Sequence, residues 1–511
     1  MPDLGLFYAI ISSNVAKYHF AMTKKFLHRF GKNLGVLILV SLTFFACKTV
    51  ESTPTPEPLQ NFLNQATTLI DEEHYSEAID ILEQAAEAHN ESPIPLIQLG
   101  QIYLHQQQSN LAEDAFNRAL ARDLENPVAM AGLAETYLNQ GNSLKALSLW
   151  KKVSESDPDL PGVFTGLGRA YLARLEFEAA QDAFLEQLSH SPDAEAQWFL
   201  AALAIPADIT QATEYLAAMP TDISDDLLAR RDYLVAVLEP FADDTPQAAI
   251  AQAEGVALVQ AKLWPLAIHA LQIASRTENQ KYQDKAKSLA FLGHALAQYG
   301  RPAIEMFRQA EALDPASALP AYFQGIYLRQ KGALTVAEDR LQQAASLDPN
   351  NPAIYIELAR LKSDQGNLAA AEAQYMAAVE AAPDDVQILT LQVEFYADHT
   401  YRLNEAGIPT AEALVEVDED NAEAYDLLGW MQFLAGDLDH AETNLQQALE
   451  LNPNLMSAHY HLARYLESQA NLTEAEQTYR LVTEKDLSNT YRSSAWEGIF
   501  RIQKQLNGSK D

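Results

Sequence analysis

The chain has 511 residues, 35 of them basic and 70 acidic, for a formal charge of −35. That length is too great for one ordinary hydrophobic core, and that charge repels phosphate backbones, which excludes nucleic acid as an expected partner. The single cysteine, Cys47, excludes an intrachain disulfide and a cysteine-built metal centre.

The charge is unevenly placed. Residues 1–46 hold Lys17, Lys24, Lys25, Arg29 and Lys32 against Asp3 alone, so the remainder carries 30 basic and 69 acidic groups. An apolar run from Leu34 to Ala46 follows the basic segment. It has the length of a signal-peptide core and is too short to span a bilayer. The run ends in Ala46-Cys47, which resembles the lipobox of bacterial lipoproteins. Phe44 and Phe45 depart from that pattern, and an uncleaved anchor helix is the alternative. The resemblance implies cleavage after a signal peptide of residues 1–46, which starts in more typical fashion at Met22. It also implies a lipid on Cys47, an anchor to a bacterial membrane and an extracytoplasmic location. Residues 47–57, with Pro54, Pro56 and several hydroxyls, predict a flexible tether.

From residue 58 the chain repeats itself. Leu99-Gly100, Leu133-Ala134 and Leu167-Gly168 stand 34 residues apart, as do Ala112, Ala146 and Ala180, and Phe116, Trp150 and Phe184. Spacings of three and four within each unit put these side chains on one helical face. Small residues let two helices approach and bulky ones fill the groove between them. The register blurs over residues 194–248, where Ile205-Pro206 cuts a unit short and Asp225–Leu238 lacks a clear helical partner. It resumes over 249–486: Pro315, Pro349 and Pro383 keep the step, as do Ala337 and Ala371, and Ala441 and Ala475. From Gly325 to Gly429 are three steps plus two residues, and those two belong in the weak unit 384–420. Its second helix is placed at Ala411–Leu414. Residues 487–511 predict a capping helix and tail, with Trp496, Ile499 and Ile502 on one face.

This pattern resembles the tetratricopeptide repeat (TPR) family. The resemblance implies an all-α, right-handed superhelical solenoid of about 11–12 helix-turn-helix units. The unit blocks are 58–193 and 249–486, flanking the irregular section 194–248. It also implies a groove lined by the first helix of each unit that binds peptides or protein segments. A Lys/Asn carboxylate clamp, used by one subfamily, is not found in the groove-facing slots.

Those slots do carry Arg169, Arg360 and Arg464 at one position, with Tyr322, Trp430 and Tyr460 as aromatic candidates. They read either as contacts to an acidic peptide or sugar acid, or as packing residues paired with neighbouring acids. His459 and His461 point too far apart on a helix to share a metal. No nucleophile motif or phosphate loop appears, so neither a cofactor nor an enzymatic activity is expected. The sequence reads as a membrane-anchored extracytoplasmic scaffold for proteins of the cell envelope, and the resemblance implies service in envelope or exopolysaccharide assembly. A glycan or acidic-ligand binder is the alternative.

Overall fold

The computed structural model describes residues 58–508, apart from 242–244, 279, 384, 487 and 489. The basic leader, Cys47 and the tether through Glu57 lie outside the described residues. The described residues form twenty-six α-helices and no strand. They fall into two compact units that meet in sequence between Pro240 and Phe241.

The first unit contains five hairpins: α1 (Leu59–Asp71) with α2 (Tyr75–Ala88), α3 (Ile94–His105) with α4 (Ser109–Arg122), α5 (Pro127–Asn139) with α6 (Ser143–Ser156), α7 (Val163–Leu172) with α8 (Phe177–His190), and α9 (Ala194–Ala204) with α10 (Ile209–Ala218). A single helix, α11 (Asp225–Leu238), packs against both α9 and α10. The second unit contains seven: α12 (Gln247–Gln260) with α13 (Trp264–Arg276), α14 (Tyr282–Gln298) with α15 (Ile304–Leu313), α16 (Leu319–Gln330) with α17 (Leu334–Leu347), α18 (Pro352–Asp364) with α19 (Leu368–Ala381), α20 (Val386–Asp398) with α21 (Ile408–Val417), α22 (Ala422–Ala435) with α23 (Leu438–Leu451), and α24 (Met456–Ser468) with α25 (Leu472–Lys485). The final helix, α26 (Arg492–Gly508), packs against α25.

Short polar side chains start many of these helices. Asn126, Asn142, Asp193, Asn351, Asn367 and Asn421 accept hydrogen bonds from first-turn amides, which satisfies donors that have no partner inside the helix. Pro127 and Pro352 sit at the first helical position, where the missing amide costs nothing.

Packing explains the 34-residue period. In several hairpins the second helix sends one bulky side chain into a glycine notch on the first. Phe116 fills the notch at Gly100 and also touches Gly132 of the next hairpin; a Cβ there would lie 2.6 and 2.3 Å from its ring. Phe184 packs on Gly168, Phe307 on Gly293 and Leu341 on Gly325 within their own hairpins, and Trp150 packs on Gly166 of the hairpin that follows. The repeated alanines Ala112, Ala146, Ala180, Ala337, Ala371, Ala441 and Ala475 are completely buried. With no free space around them, a larger side chain at these positions would force neighbouring helices apart.

Two places depart from the standard hairpin. In the first unit α9 ends early because Ile205 and Pro206 are both buried and Pro206 cannot continue the helix. In the second, α20 and α21 are joined through a π-helical turn, Leu403–Gly407, entered from Arg402 in a left-handed conformation. Ala411 and Leu414 of α21 are fully buried.

Candidate functional site: grooves on the first-helix faces

In the first unit, α3, α5, α7, α9 and α11 contribute side chains to one continuous surface. Two adjoining cavities lie along it and share Glu135, Trp150 and Pro161. The larger, about 450 Å³, is mainly apolar, with Leu104, Phe116, Val128, Ala131 and Leu160 in its walls. The smaller, about 190 Å³, is charged, lined by Arg169, Glu195, Asp226 and Arg230 among others.

Arg169 is anchored there. Its Nη2 and Nη1 donate to the two oxygens of Glu135, at 2.7 and 3.1 Å, one repeat back. Its Nε lies 3.8 Å from Glu195. Burial works to lower its ionisation, but Glu135 and Glu195 outweigh burial and hold it above its ordinary value. Asp193 caps α9 through Ala196 and accepts a hydrogen bond from the Thr165 hydroxyl at 3.1 Å. Arg230 and Asp226 pair at 3.1 Å within α11, each side chain only 7% exposed. The Arg230 guanidinium also lies 5.5 Å from the Trp198 ring centre, a favourable cation–aromatic contact. Burial pushes the carboxyls of Glu195 and Asp226 up and the Arg230 guanidinium down.

In the second unit, Arg360 donates to Glu357 at 2.6 Å, and Arg329 reaches Glu357 and Asp364. These arginines border a cavity of about 290 Å³ with Tyr375, Glu394, Asp398 and His399 in its wall. Burial raises the Glu394 carboxyl, and the nearby Glu423 and Asp398 raise it further. Tyr322 is a half-buried neighbour of Phe323, and burial raises its hydroxyl.

Trp430, Tyr460 and Arg464 are brought together around His461. The His461 ring stacks on Trp430 at 4.3 Å, and its Nδ1 meets the buried Asp426 at 2.7 Å. The Arg464 guanidinium lies 5.8 Å from the Trp430 ring centre and donates to the Tyr460 hydroxyl at 3.3 Å. Tyr460 also packs on Tyr491, at 5.1 Å. His459 turns away to the Pro453 carbonyl. Among the described residues no group of three histidines or acids is placed to hold a metal, and no helix is long and apolar enough to cross a membrane.

The sequence-predicted residues thus occupy first-helix faces, Arg169 in the first unit and the other five in the second. Glu195, Asp226 and Arg230 were not anticipated. Glu135 had a legible signal, because it holds the Arg169 slot one repeat earlier. Arg230 had none, since it comes from a helix outside the period.

Two family models, both described as tetratricopeptide repeat, match the chain, one at residues 69–125 and 328–394 and the other at 422–455. The chain carries tetratricopeptide repeats. Among curated proteins, residues of this chain are 25% identical over 260 positions to anaphase-promoting complex subunit CDC16 of Saccharomyces cerevisiae, covering 46% of this chain and 31% of that one. They are 37% identical over 68 positions to the uncharacterized protein ycf37 of Pyropia yezoensis, covering 13% and 38%. The chain spans about a third of the length of these relatives. Among solved structures, yeast Tom70 is similar at 15% identity with a TM-score of 0.39, covering 88% of this chain and 96% of that one.

Proposed function

We propose that this TPR protein is a non-enzymatic scaffold that holds segments of other proteins in the first-helix groove of its first unit. The observation that carries the reading is the pair of adjoining cavities, one apolar and one charged, on a surface built mainly from successive first helices and closed by α11 and the rings of Phe116 and Trp150. An apolar cavity supplies burial energy, and adjacent polar groups orient what is bound. We further propose that Cys47 is lipidated and presents this groove at the extracytoplasmic face of a bacterial membrane, to proteins of the envelope. The support for that part is the basic segment, apolar run and lone cysteine of the sequence.

A glycan or acidic ligand held by Arg169, Arg360 and Arg464 draws no support from their contacts. Arg169 and Arg360 are engaged by carboxylates and Arg464 by an aromatic ring and a hydroxyl.

The test combines fractionation with photo-crosslinking. A photoreactive residue replaces Val128, in the apolar cavity wall, in the native chain and in a Cys47→Ser form. The native chain partitions with membranes and crosslinks to discrete proteins, and the Cys47→Ser form leaves the membrane fraction. A Cys47→Ser chain that stays with membranes overturns the anchor. Crosslinks no more numerous than those from a photoreactive residue at Leu124, an exposed position outside the cavity lining, overturn the groove.

A further inference from the structure

The smaller cavity of the first unit holds buried polar groups that the protein itself does not satisfy. The Nε–H of Arg230 is buried and meets no acceptor among the described residues, although the side chain is more than nine-tenths buried. The Nε1–H of Trp150, whose ring lines both cavities, is likewise buried without an acceptor. Glu195, at the partly exposed mouth of the cavity, has the opposite need. Its side chain makes no hydrogen bond among the described residues, Arg169 at 3.8 Å already donates to Glu135 in bidentate fashion, and Arg230, which also attracts it, is paired with Asp226. Two donors and one acceptor therefore border a single cavity of about 190 Å³ that opens beside an apolar one. Buried polar groups without partners are costly, and a ligand that completes them gains accordingly.

We propose that this cavity is a recognition subsite for a carboxamide side chain, glutamine or asparagine, of a bound peptide whose neighbouring large apolar residue fills the adjoining cavity. The inference rests on the reading of the groove as a peptide site. A carboxamide is the group whose chemistry matches all three needs. Its carbonyl oxygen accepts from Arg230 and Trp150, its amino group donates to Glu195, and it brings no charge. A lysine or arginine would satisfy Glu195 but would lie beside Arg169 and Arg230 and leave both buried N–H groups bare. A carboxylate would satisfy those donors but would sit among Glu135, Asp193, Glu195 and Asp226. The resident ion pairs, Arg169–Glu135 and Arg230–Asp226, are already closed, so the cavity has no unbalanced arginine to offer an anion. Size agrees as well: the volume suits one polar side chain and is too small for a folded element.

The experiment is a selection of random dodecapeptides on the purified full-length chain, followed by affinity measurements on synthetic versions of the peptides recovered. Two variants accompany it. Glu195→Ala removes the acceptor at a partly exposed position. The double change Arg230→Met with Asp226→Leu removes the donor without stranding a buried charge; circular dichroism checks that both fold. The expected result is enrichment of Gln or Asn at a fixed distance from a large apolar residue. Replacing that Gln or Asn by Leu, Glu or Lys weakens binding about tenfold, and both variants lose the preference while keeping the apolar one. Peptides that carry Lys, Arg, Asp, Glu or no consensus at that place overturn the carboxamide subsite and leave the groove reading standing. So do peptides that bind both variants as tightly, with the same preference. Recovery of no peptide above background overturns the groove and the subsite together.

Discussion

Two ionisable residues of the second unit sit where the packing wants apolar ones, and they predict opposite pH limbs. His294 lies between Trp264, at 6.0 Å, and Phe323, stacked at 4.4 Å. Burial lowers its pKa to about 4, against about 6.5 when unfolded. The unfolded chain therefore binds this proton first as the pH falls, and stability drops between about pH 6.5 and pH 4. The loss is about 2–3 kcal/mol, allowing for partial exposure. His294→Leu keeps the ring contacts apolar and should flatten that acid limb in a series of urea midpoints; an unchanged slope would rule His294 out. Glu254 acts the other way. It occupies the slot before the notch glycine, Gly255, where Leu99, Leu167, Leu292 and Leu428 precede theirs. It is fully buried, neither oxygen has a hydrogen-bond partner among the described residues, and burial holds its carboxyl well above the usual range. The folded state keeps this proton while the unfolded state releases it near pH 4.3, so stability falls as the pH rises, by up to about 1.4 kcal/mol per unit. Glu254→Leu should stabilise the unit at pH 7, with a gain that is larger at pH 7 than at pH 5. A pH-independent gain would mean that the acid is not buried neutral.

At the scale of elements, the turn inside each hairpin is the recurrent strain. Eleven of the twelve hairpins among the described residues place a residue there with a positive φ, and the α20–α21 connection places two, Thr400 and Arg402. Five use glycine, but Glu73, Gln107, Leu175, Lys262, Thr400 and Ala470 do not. A side chain in that conformation costs about 1–2 kcal/mol. Lys262, at φ 57° and exposed, has least to lose, so Lys262→Gly should raise the unfolding free energy by about 1 kcal/mol, read from thermal and urea midpoints. A lower midpoint would show that the Lys262 stem contributes more by packing than its backbone costs. The remaining hairpin, α9 with α10, turns through Ile205 and Pro206, and there the periodic signal in the sequence is lost. The fold was legible because notch glycines, bulky fillers and buried alanines are set by helix contact distance, which repeats. The two surplus residues of the weak unit were legible by counting, but the π-helical turn they accompany was not, since no side-chain period marks it. The site was legible only in part. Arg169 and Glu135 share a slot one repeat apart, whereas Arg230 reaches the same cavity from a helix that obeys no repeat.

Over the whole molecule the decisive quantity is charge. Basic residues are few, and many bind one repeat to the next: Arg118 to Glu83, Arg169 to Glu135, Arg340 to Glu311, Lys362 to Glu338, Arg402 to Glu372 and Arg501 to Glu467. Acids outnumber bases two to one, so most of them are left without such a cation. Salt acts on both terms in opposite directions. Screening weakens exposed pairs worth about 0.2–1 kcal/mol each, and it relieves repulsion among 35 uncompensated charges. The pairs are partly shielded, with Glu135, Glu372 and Glu467 mostly buried, so screening reaches them less than it reaches the surplus acids. Repulsion therefore dominates the balance. Raising sodium chloride from about 10 mM to about 150 mM, which shortens the Debye length from about 30 Å to about 8 Å, should raise the thermal midpoint by several degrees. Potassium chloride should act equally, because screening depends on ionic strength and not on the cation. A midpoint that falls with salt would mean that the inter-repeat pairs, and not the acid surplus, govern stability.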